Sequence, residues 1–196
     1  MIYSYKNFTP YVHPTAFVHP LAAVTGCVRI GADVYVGPFA ALRGDFGEII
    51  IEDGCNVQEH CIIHMFPGVS VHLKTNAHIG HGAMIHGAVI GSNVLVGMNT
   101  VIMDDVEIGD ECIIGAMSFI KEGTRIPPRS LVVGNPARIV KEVSDEMIQW
   151  KTMGTQLYQQ LARDCHTELK ECKALDVFPE NWATPNGAYS SWRRGK

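Results

Sequence analysis

Aromatic side chains are scarce: Phe, Tyr and Trp make up 8% of the 196 residues. A core built on large rings is therefore not expected. Charge is sparse as well, with 18% Asp, Glu, Lys and Arg, below the usual quarter of a soluble chain. Hydrophobic residues reach 46%, which excludes a disordered polymer. Basic residues number 16 against 20 acidic ones, for a net charge of −4, so no nucleic-acid surface is implied. No apolar run approaches the ~18 residues of a membrane span. The opening Met1-Ile2-Tyr3-Ser4-Tyr5-Lys6 has no basic stretch leading into an apolar one. No secretory peptide is expected, and the cytoplasm is the expected compartment. Six cysteines lack Cys-x-x-Cys spacing, and in a reducing compartment they are expected as thiols filling the core.

Glycine is abundant instead, at 19 residues. It accompanies a repeat. Aliphatic residues recur every six positions: Val12, Val18, Val24, Ile30, Val36 and Leu42, then Ile51, Val57 and Ile63, then Leu73, Ile79 and Ile85. A last run continues through Ile90, Val96, Ile102, Ile108, Ile114, Ile120 and Ile126 to Val132. A period of six fits neither a helix nor simple strand alternation. It fits short strands separated by turns, wound as a parallel β-helix with the aliphatic residue pointing inward. The pattern resembles the hexapeptide-repeat family, in which three repeats form one triangular coil and the coil winds left-handed. The expected fold is thus an all-β solenoid over residues 10–140. Its register breaks within Arg43–Glu48, around Pro67-Gly68, and between Ile85 and Ile90. Insertions of this kind usually form loops on the working side of a solenoid.

Beyond Val132 the pattern stops at Gly134-Asn135-Pro136-Ala137-Arg138. A C-terminal helix is expected over 144–173, capped by Ser144 with Asp145 and Glu146 in its first turn. Its apolar stripe reads Met147, Trp150, Gly154, Leu157, Leu161, Cys165, Leu169 and Cys172. Residues 174–196, ending Arg193-Arg194-Gly195-Lys196, show no period and are expected to be irregular, either mobile or wrapped on another chain.

Three of nine histidines form a pattern. His64 and His86 each follow an inward isoleucine, and Ile63 and Ile85 lie one coil apart once the Pro67-Gly68 insertion is removed. The two imidazoles should stack about one strand spacing, ~4.8 Å, apart. His81 lies in another phase on the preceding face, so a neighbouring subunit is the easier supplier of a third imidazole. Three imidazoles with an open position suit a catalytic zinc or iron ion. The same count puts Arg43 in the column of His64 and His86, and Gln58 one coil from His81 with Asn56 beside it. Arg43 and Asp45 can pair through charge-assisted bonds, as an interface contact or in the chemistry, and Gln58 can orient a metal-bound water. His13, His19, His60, His72, His78 and His166 read as ordinary surface residues, and Met98 and Met103 as packing residues.

Leu42-Arg43-Gly44-Asp45, Asn56-Val57-Gln58 with His64 six residues on, and His81-Gly82-Ala83-Met84-Ile85-His86-Gly87 together resemble the signature of γ-class carbonic anhydrases. The resemblance implies a homotrimer with metal sites between subunits: His64 and His86 from one chain, His81 from the next. It implies Zn2+, with Fe2+ or Co2+ as alternatives, and a role for Gln58 in orienting the metal-bound hydroxide near Asn56. Arg43 and Asp45 would hold the interface. The segments His13-Pro14-Thr15-Ala16-Phe17-Val18-His19-Pro20, Gly97-Met98-Asn99 and Ser118-Phe119-Ile120-Lys121, with the helix around Trp150-Lys151, resemble the branch holding the phenylacetate-degradation protein Y and the carnitine-operon protein E. That branch implies hydrolysis of acyl-CoA thioesters.

One departure matters. Founding carbonic anhydrases carry glutamates near the metal for proton export. Here no Asp or Glu occurs between Glu59 and Asp104. An apolar Met65-Phe66 rim suits an acyl group better than a proton wire. The expected reaction is attack of a metal-bound hydroxide on a thioester carbonyl, with CO2 hydration to bicarbonate as the alternative. A hexapeptide acyltransferase and a non-catalytic scaffold are further alternatives. Neither nucleic acid nor membrane is an expected partner.

Overall fold

One aliphatic residue in six must leave water, and stacking those residues is what closes the chain into coils. The computed structural model describes residues 1–185, 187 and 189–192. Seven parallel strands make the first face, in the order Phe17–Val18, Tyr35–Val36, Asn56–Val57, His78–Ile79, Leu95–Val96, Ile113–Ile114 and Ser130–Gly134. Ile62–His64, Met84–His86, Val101–Ile102 and Phe119–Ile120 stack on the second face. Ser70–Leu73, Ala88–Ile90, Val106–Ile108 and Arg125–Ile126 stack on the third. The parallel β-helix expected from the period is therefore the fold. Its core is a column of Val, Ile and Leu from all three faces, with Ile30, Leu42, Ile63, Ile79, Ile85 and Val96 fully enclosed. Burying each such side chain contributes about 1.5–3 kcal/mol. Cys55, Cys61 and Cys112 fill gaps in the same core as free thiols.

The solenoid starts earlier than residue 10, because Ile2–Tyr3 already pairs in parallel with Val24 and Thr25. The Arg43–Glu48 insertion is not a loop. It lies within one continuous strand, Ala41–Ile51, that bends round a corner and serves the second and third faces. Its neighbour Ala23–Ile30 bends with it, with a register shift between Gly26 and Val28. The Pro67-Gly68 insertion does leave the coil as a turn. At the far end Ser130–Gly134 pairs antiparallel with Ala137–Glu142, which ends the coils.

The helix, α1, spans Asp145–Thr167. Ser144 caps it, its hydroxyl accepting from the Met147 N–H at 3.4 Å. The helix is shorter than 144–173, so Leu169 and Cys172 lie outside it. It packs along the first face, against the outward side chains of that face's strands. Its buried residues are Met147, Lys151, Gly154, Thr155 and Ala162. Leu157 and Leu161 from the expected stripe stay 51% and 37% exposed. The reason is a column of corner residues with positive φ, namely Asp33, Gly54, Asn76, Asn93, Glu111 and Arg129. Asn and Asp tolerate this backbone, and Gly adopts it freely. Their polar groups need partners, and α1 supplies them. Arg163 Nη2 donates to Asp33 Oδ2 at 2.9 Å, and Gln159 Nε2 to Asn76 Oδ1 at 2.9 Å and Gly54 O at 3.1 Å. Lys151 Nζ donates to Asn76 O at 2.6 Å and Asn93 Oδ1 at 2.7 Å, and Arg129 pairs with Asp145. Five coil steps cover about 24 Å. Residues 145–163 cover about 27 Å of helix. The two spacings match closely enough for one straight helix to latch the whole column.

After α1 the described tail has neither helix nor strand, and it folds back. Tyr189 stacks on Trp150 at 5.7 Å, and Trp150 Nε1 donates to Ser190 O at 2.9 Å. Arg193-Arg194-Gly195-Lys196 lies outside the described residues. Among the described residues no helix is long and apolar enough to cross a membrane.

Lys151 is only 2% exposed, and burial pushes its ammonium down to about 7. Its folded value lies below its unfolded one, so the unfolded chain binds more protons between about pH 7 and pH 10. Stability contributed at this position therefore rises with pH across that window, by up to about 1.4 kcal/mol per pH unit. Urea unfolding at pH 7 and pH 9 should show this gain in the wild type and a flatter dependence in Lys151→Met.

Candidate active site

His64 and His86 lie directly across a parallel ladder, as the repeat count predicts. Their ring centroids are 5.3 Å apart. Each keeps one ring nitrogen on a carboxylate. His64 Nε2 bonds Asp45 Oδ1 at 2.9 Å, and His86 Nδ1 bonds Asp104 Oδ1 at 2.7 Å. Arg43 Nη1 donates to Asp45 Oδ2 at 2.7 Å, so Asp45 spends one oxygen on Arg43 and the other on His64. The Arg43–Asp45 pair thus forms, through a single bond, and it reaches the histidine column. Burial alone would raise the Asp45 carboxyl; the bonds from His64 and Arg43 outweigh it and hold it below the usual range. Phe46 and Phe66 edge the pair, 5.4 Å from His64 and 4.8 Å from His86. Met65 does not join this rim. It is fully buried, because its side chain fills the solenoid core.

His81 stands at the end of the first-face strand His78–Ile79, with its side chain 47% exposed. Its Nδ1 bonds Glu59 Oε2 at 2.5 Å, and Glu59 Oε1 accepts from the Tyr35 hydroxyl at 3.1 Å. Burial alone would raise the Glu59 carboxyl, but hydrogen bonds from its own backbone, Tyr35 and His81 hold it below the usual range. The ladder Val57↔Ile79 makes Glu59, two residues beyond Val57, the coil neighbour of His81. The repeat count in the sequence assigns that neighbour as Gln58 instead. Among the described residues no three potential ligands of one chain converge on a common point. The donor chemistry nevertheless fits a divalent cation. Each of His64, His81 and His86 has one nitrogen oriented by a carboxylate and the other open, which is how ligating histidines are usually held.

Gln58 has an unusual seat. From the second to the sixth strand of the first face, the outward position after the inward aliphatic residue is Gly37, Gln58, Gly80, Gly97 and Gly115 in successive coils. A Cβ on Gly97 would stand 2.5 Å from Ala116 N, and one on Gly80 2.8 Å from Val96 O. Gln58 therefore rises alone from a glycine column and is 2% exposed. Its Nε2 donates to Asn56 Oδ1 at 2.9 Å and to His78 Nε2 at 2.7 Å. His78 is not a surface residue. It lies under α1, edge-on to Tyr158 at 5.2 Å, and burial pushes it down to about 3, so it is neutral. Periodicity alone could not find it, since its phase is outward; it is the helix that half-buries that position.

The glycine column also makes room. Between it and α1 runs a cleft of about 640 Å³. Gln58, Glu59 and His81 line it along with Leu95, Met98, Trp150, Leu157, Leu161 and Tyr189. Met98, read from the sequence as a packing residue, is 52% exposed because it borders this space.

Relatives share both the coils and this length of chain. The carnitine operon protein CaiE of Escherichia coli K12 is 49% identical over 179 residues, covering 91% of each chain. The chain belongs to the CaiE-like branch of the hexapeptide-repeat family. Within this hexapeptide-repeat chain, residues 87–122 match the family described as bacterial transferase hexapeptide (six repeats). A crystal structure from Bacillus cereus, described as a putative acetyltransferase, superposes with a TM-score of 0.82 at 32% identity, over 83% of this chain and 95% of that one. A hexapeptide transferase family protein from Anaplasma phagocytophilum gives 0.80 at 27%, over 83% and 96%.

The glycine column is open to a stability test. Gly97→Ala should cost about 1–3 kcal/mol by overpacking backbone against backbone, read as a lower urea midpoint.

Proposed function

We propose that this chain is a metal-dependent acyl-CoA thioester hydrolase, acting as a homotrimer with its sites between subunits. The observation that carries the reading is the cleft, a largely apolar space of about 640 Å³ that Gln58, Glu59 and His81 also line. A small linear molecule such as CO2 needs no such space. An acyl arm does, and its burial there would keep water from its length while the carbonyl stays beside those three polar residues.

His64 and His86 of one subunit and His81 of the next would hold the cation. A zinc ion bound there would supply Lewis acidity and bring water's pKa near neutral. The chain's residues do the rest. Asp45, Asp104 and Glu59 hold the three imidazoles in place. Gln58 presents its Oε1 to the O–H of the attacking water, and Asn56 steadies the Gln58 amide from below. Phe46 and Phe66 keep the His64–His86 side of the site apolar. Acyl transfer to an acceptor amine is a second reading, favoured by the likeness to the Bacillus cereus putative acetyltransferase.

The first test is metal content of protein purified without chelator, for the wild type and His81→Ala. About one zinc or iron ion per chain, lost in the variant, is expected. The holo-protein should then release CoA from hexanoyl-CoA without any added amine. Absence of metal after reconstitution, CO2 hydration without thioester hydrolysis, or a strict need for an amine would overturn the reading. Leu157→Trp narrows the cleft from its exposed edge. It should raise KM for hexanoyl-CoA about tenfold, as expected for a group or two lost from an apolar pocket, and leave acetyl-CoA nearly unaffected.

A further inference from the structure

We infer that α1 sets the working orientation of the Gln58 amide through His78, which makes His78 a positioning residue of the site. The inference rests on the reading in which Gln58 orients the attacking water.

Three hydrogen bonds run in one direction. Thr155 on α1 spends its hydroxyl proton on Lys151 O at 3.3 Å. Its Oγ1 can therefore only accept, and His78 Nδ1 lies 3.4 Å from it. A neutral imidazole carries one N–H. With that N–H on Nδ1, aimed at Thr155, Nε2 is left as an acceptor. Gln58 Nε2 lies 2.7 Å away and fills that role as donor. The second proton of the same amide nitrogen goes to Asn56 Oδ1. Both donors of Gln58 are thus committed inside the protein. Its Oε1 is the one group of the amide left to meet a ligand, and it can only accept. With the Asn56 amide as placed and His78 in its Nδ1–H form, a flipped amide would set Oε1 against two acceptors, Asn56 Oδ1 and His78 Nε2, and lose both bonds. The wall around His78 supports a neutral ring: α1 covers it and Tyr158 packs on it edge-on, so the charged form would lose solvent. Gln58 itself is supported by no side chain at its own position in the coils above and below, because those positions are Gly80 and Gly37. His78 and Asn56 are what hold it.

The experiment has two arms. Long-range 1H–15N correlation on histidine-labelled protein reads the tautomer of His78, and Nδ1–H is expected. An Nε2–H tautomer or an imidazolium overturns the inference. This arm needs no turnover, so it decides the relay even where the wild type hydrolyses no thioester. The second arm compares His78→Phe with His78→Gln on hexanoyl-CoA. Phe keeps the ring under Tyr158 but accepts no hydrogen bond. Its kcat should fall about 10–100-fold, the usual cost of losing such a supporting partner, with KM and metal content nearly unchanged. Gln restores an acceptor and should recover part of kcat. Equal kcat in wild type and His78→Phe, or a KM effect without a kcat effect, overturns the inference. Should either variant fail to fold, Thr155→Val carries the second arm, with a smaller fall in kcat expected.

Discussion

Coil spacing governs this molecule. Inward aliphatic residues recur at about 4.8 Å because that is the distance at which parallel strands share hydrogen bonds. Once that spacing is set, every other position of the repeat becomes a column as well. The corners become a column of left-handed residues, from Asp33 to Arg129. The outward strand positions become a surface that a helix can cover. On the first face the position after the inward residue is glycine in four of the coils, Gly37, Gly80, Gly97 and Gly115, because neighbouring backbones approach there too closely for a Cβ. The histidine pair is one more column, His64 over His86. Fold and site are therefore not separate designs; the site is what the columns hold where their composition changes.

Those changes are few and local. Gln58 interrupts glycine, Glu59 stands beneath His81, and Asp45 lies between Arg43 and His64. Each candidate imidazole has a carboxylate on one nitrogen. A carboxylate fixes ring rotation and favours one tautomer, so the open nitrogen has a defined direction before any ligand arrives. That is a preorganised arrangement, and it is built with residues from neighbouring coils rather than from flexible loops.

Periodicity makes the solenoid and the His64–His86 stacking legible, and local residue chemistry the Ser144 cap and the pairing of Arg43 with Asp45. The signals were strong because a six-residue period places each residue by arithmetic. The misreadings share a cause. The helix face was judged by apolar content, which favours Leu157 and Leu161; the corner polar groups instead turn Lys151, Thr155 and Gln159 inward. The outward phase of His78 predicts a surface residue, and the place of Met65 beside an insertion predicts a rim residue; neither is one. The Arg43–Glu48 insertion was expected to be a loop, yet it extends a strand round a corner. In each case a second layer or a bent strand changed what burial meant at that position. Glu59 is the residue a closer count could have found, since it lies two beyond Val57 as His81 lies two beyond Ile79.

The cleft has a floor and a roof of different kinds. Its floor is backbone, Gly80 and Gly97, where no side chain can be added without displacing the coil beneath. Its roof is a helix whose Leu157 and Leu161 line the cleft while staying partly exposed. Variation in what the cleft accepts is thereby left to side chains such as Leu157 and Leu161 of the roof and Leu95 and Met98 beside the floor, so such a scaffold can diversify its ligands through single positions while the histidines stay as they are.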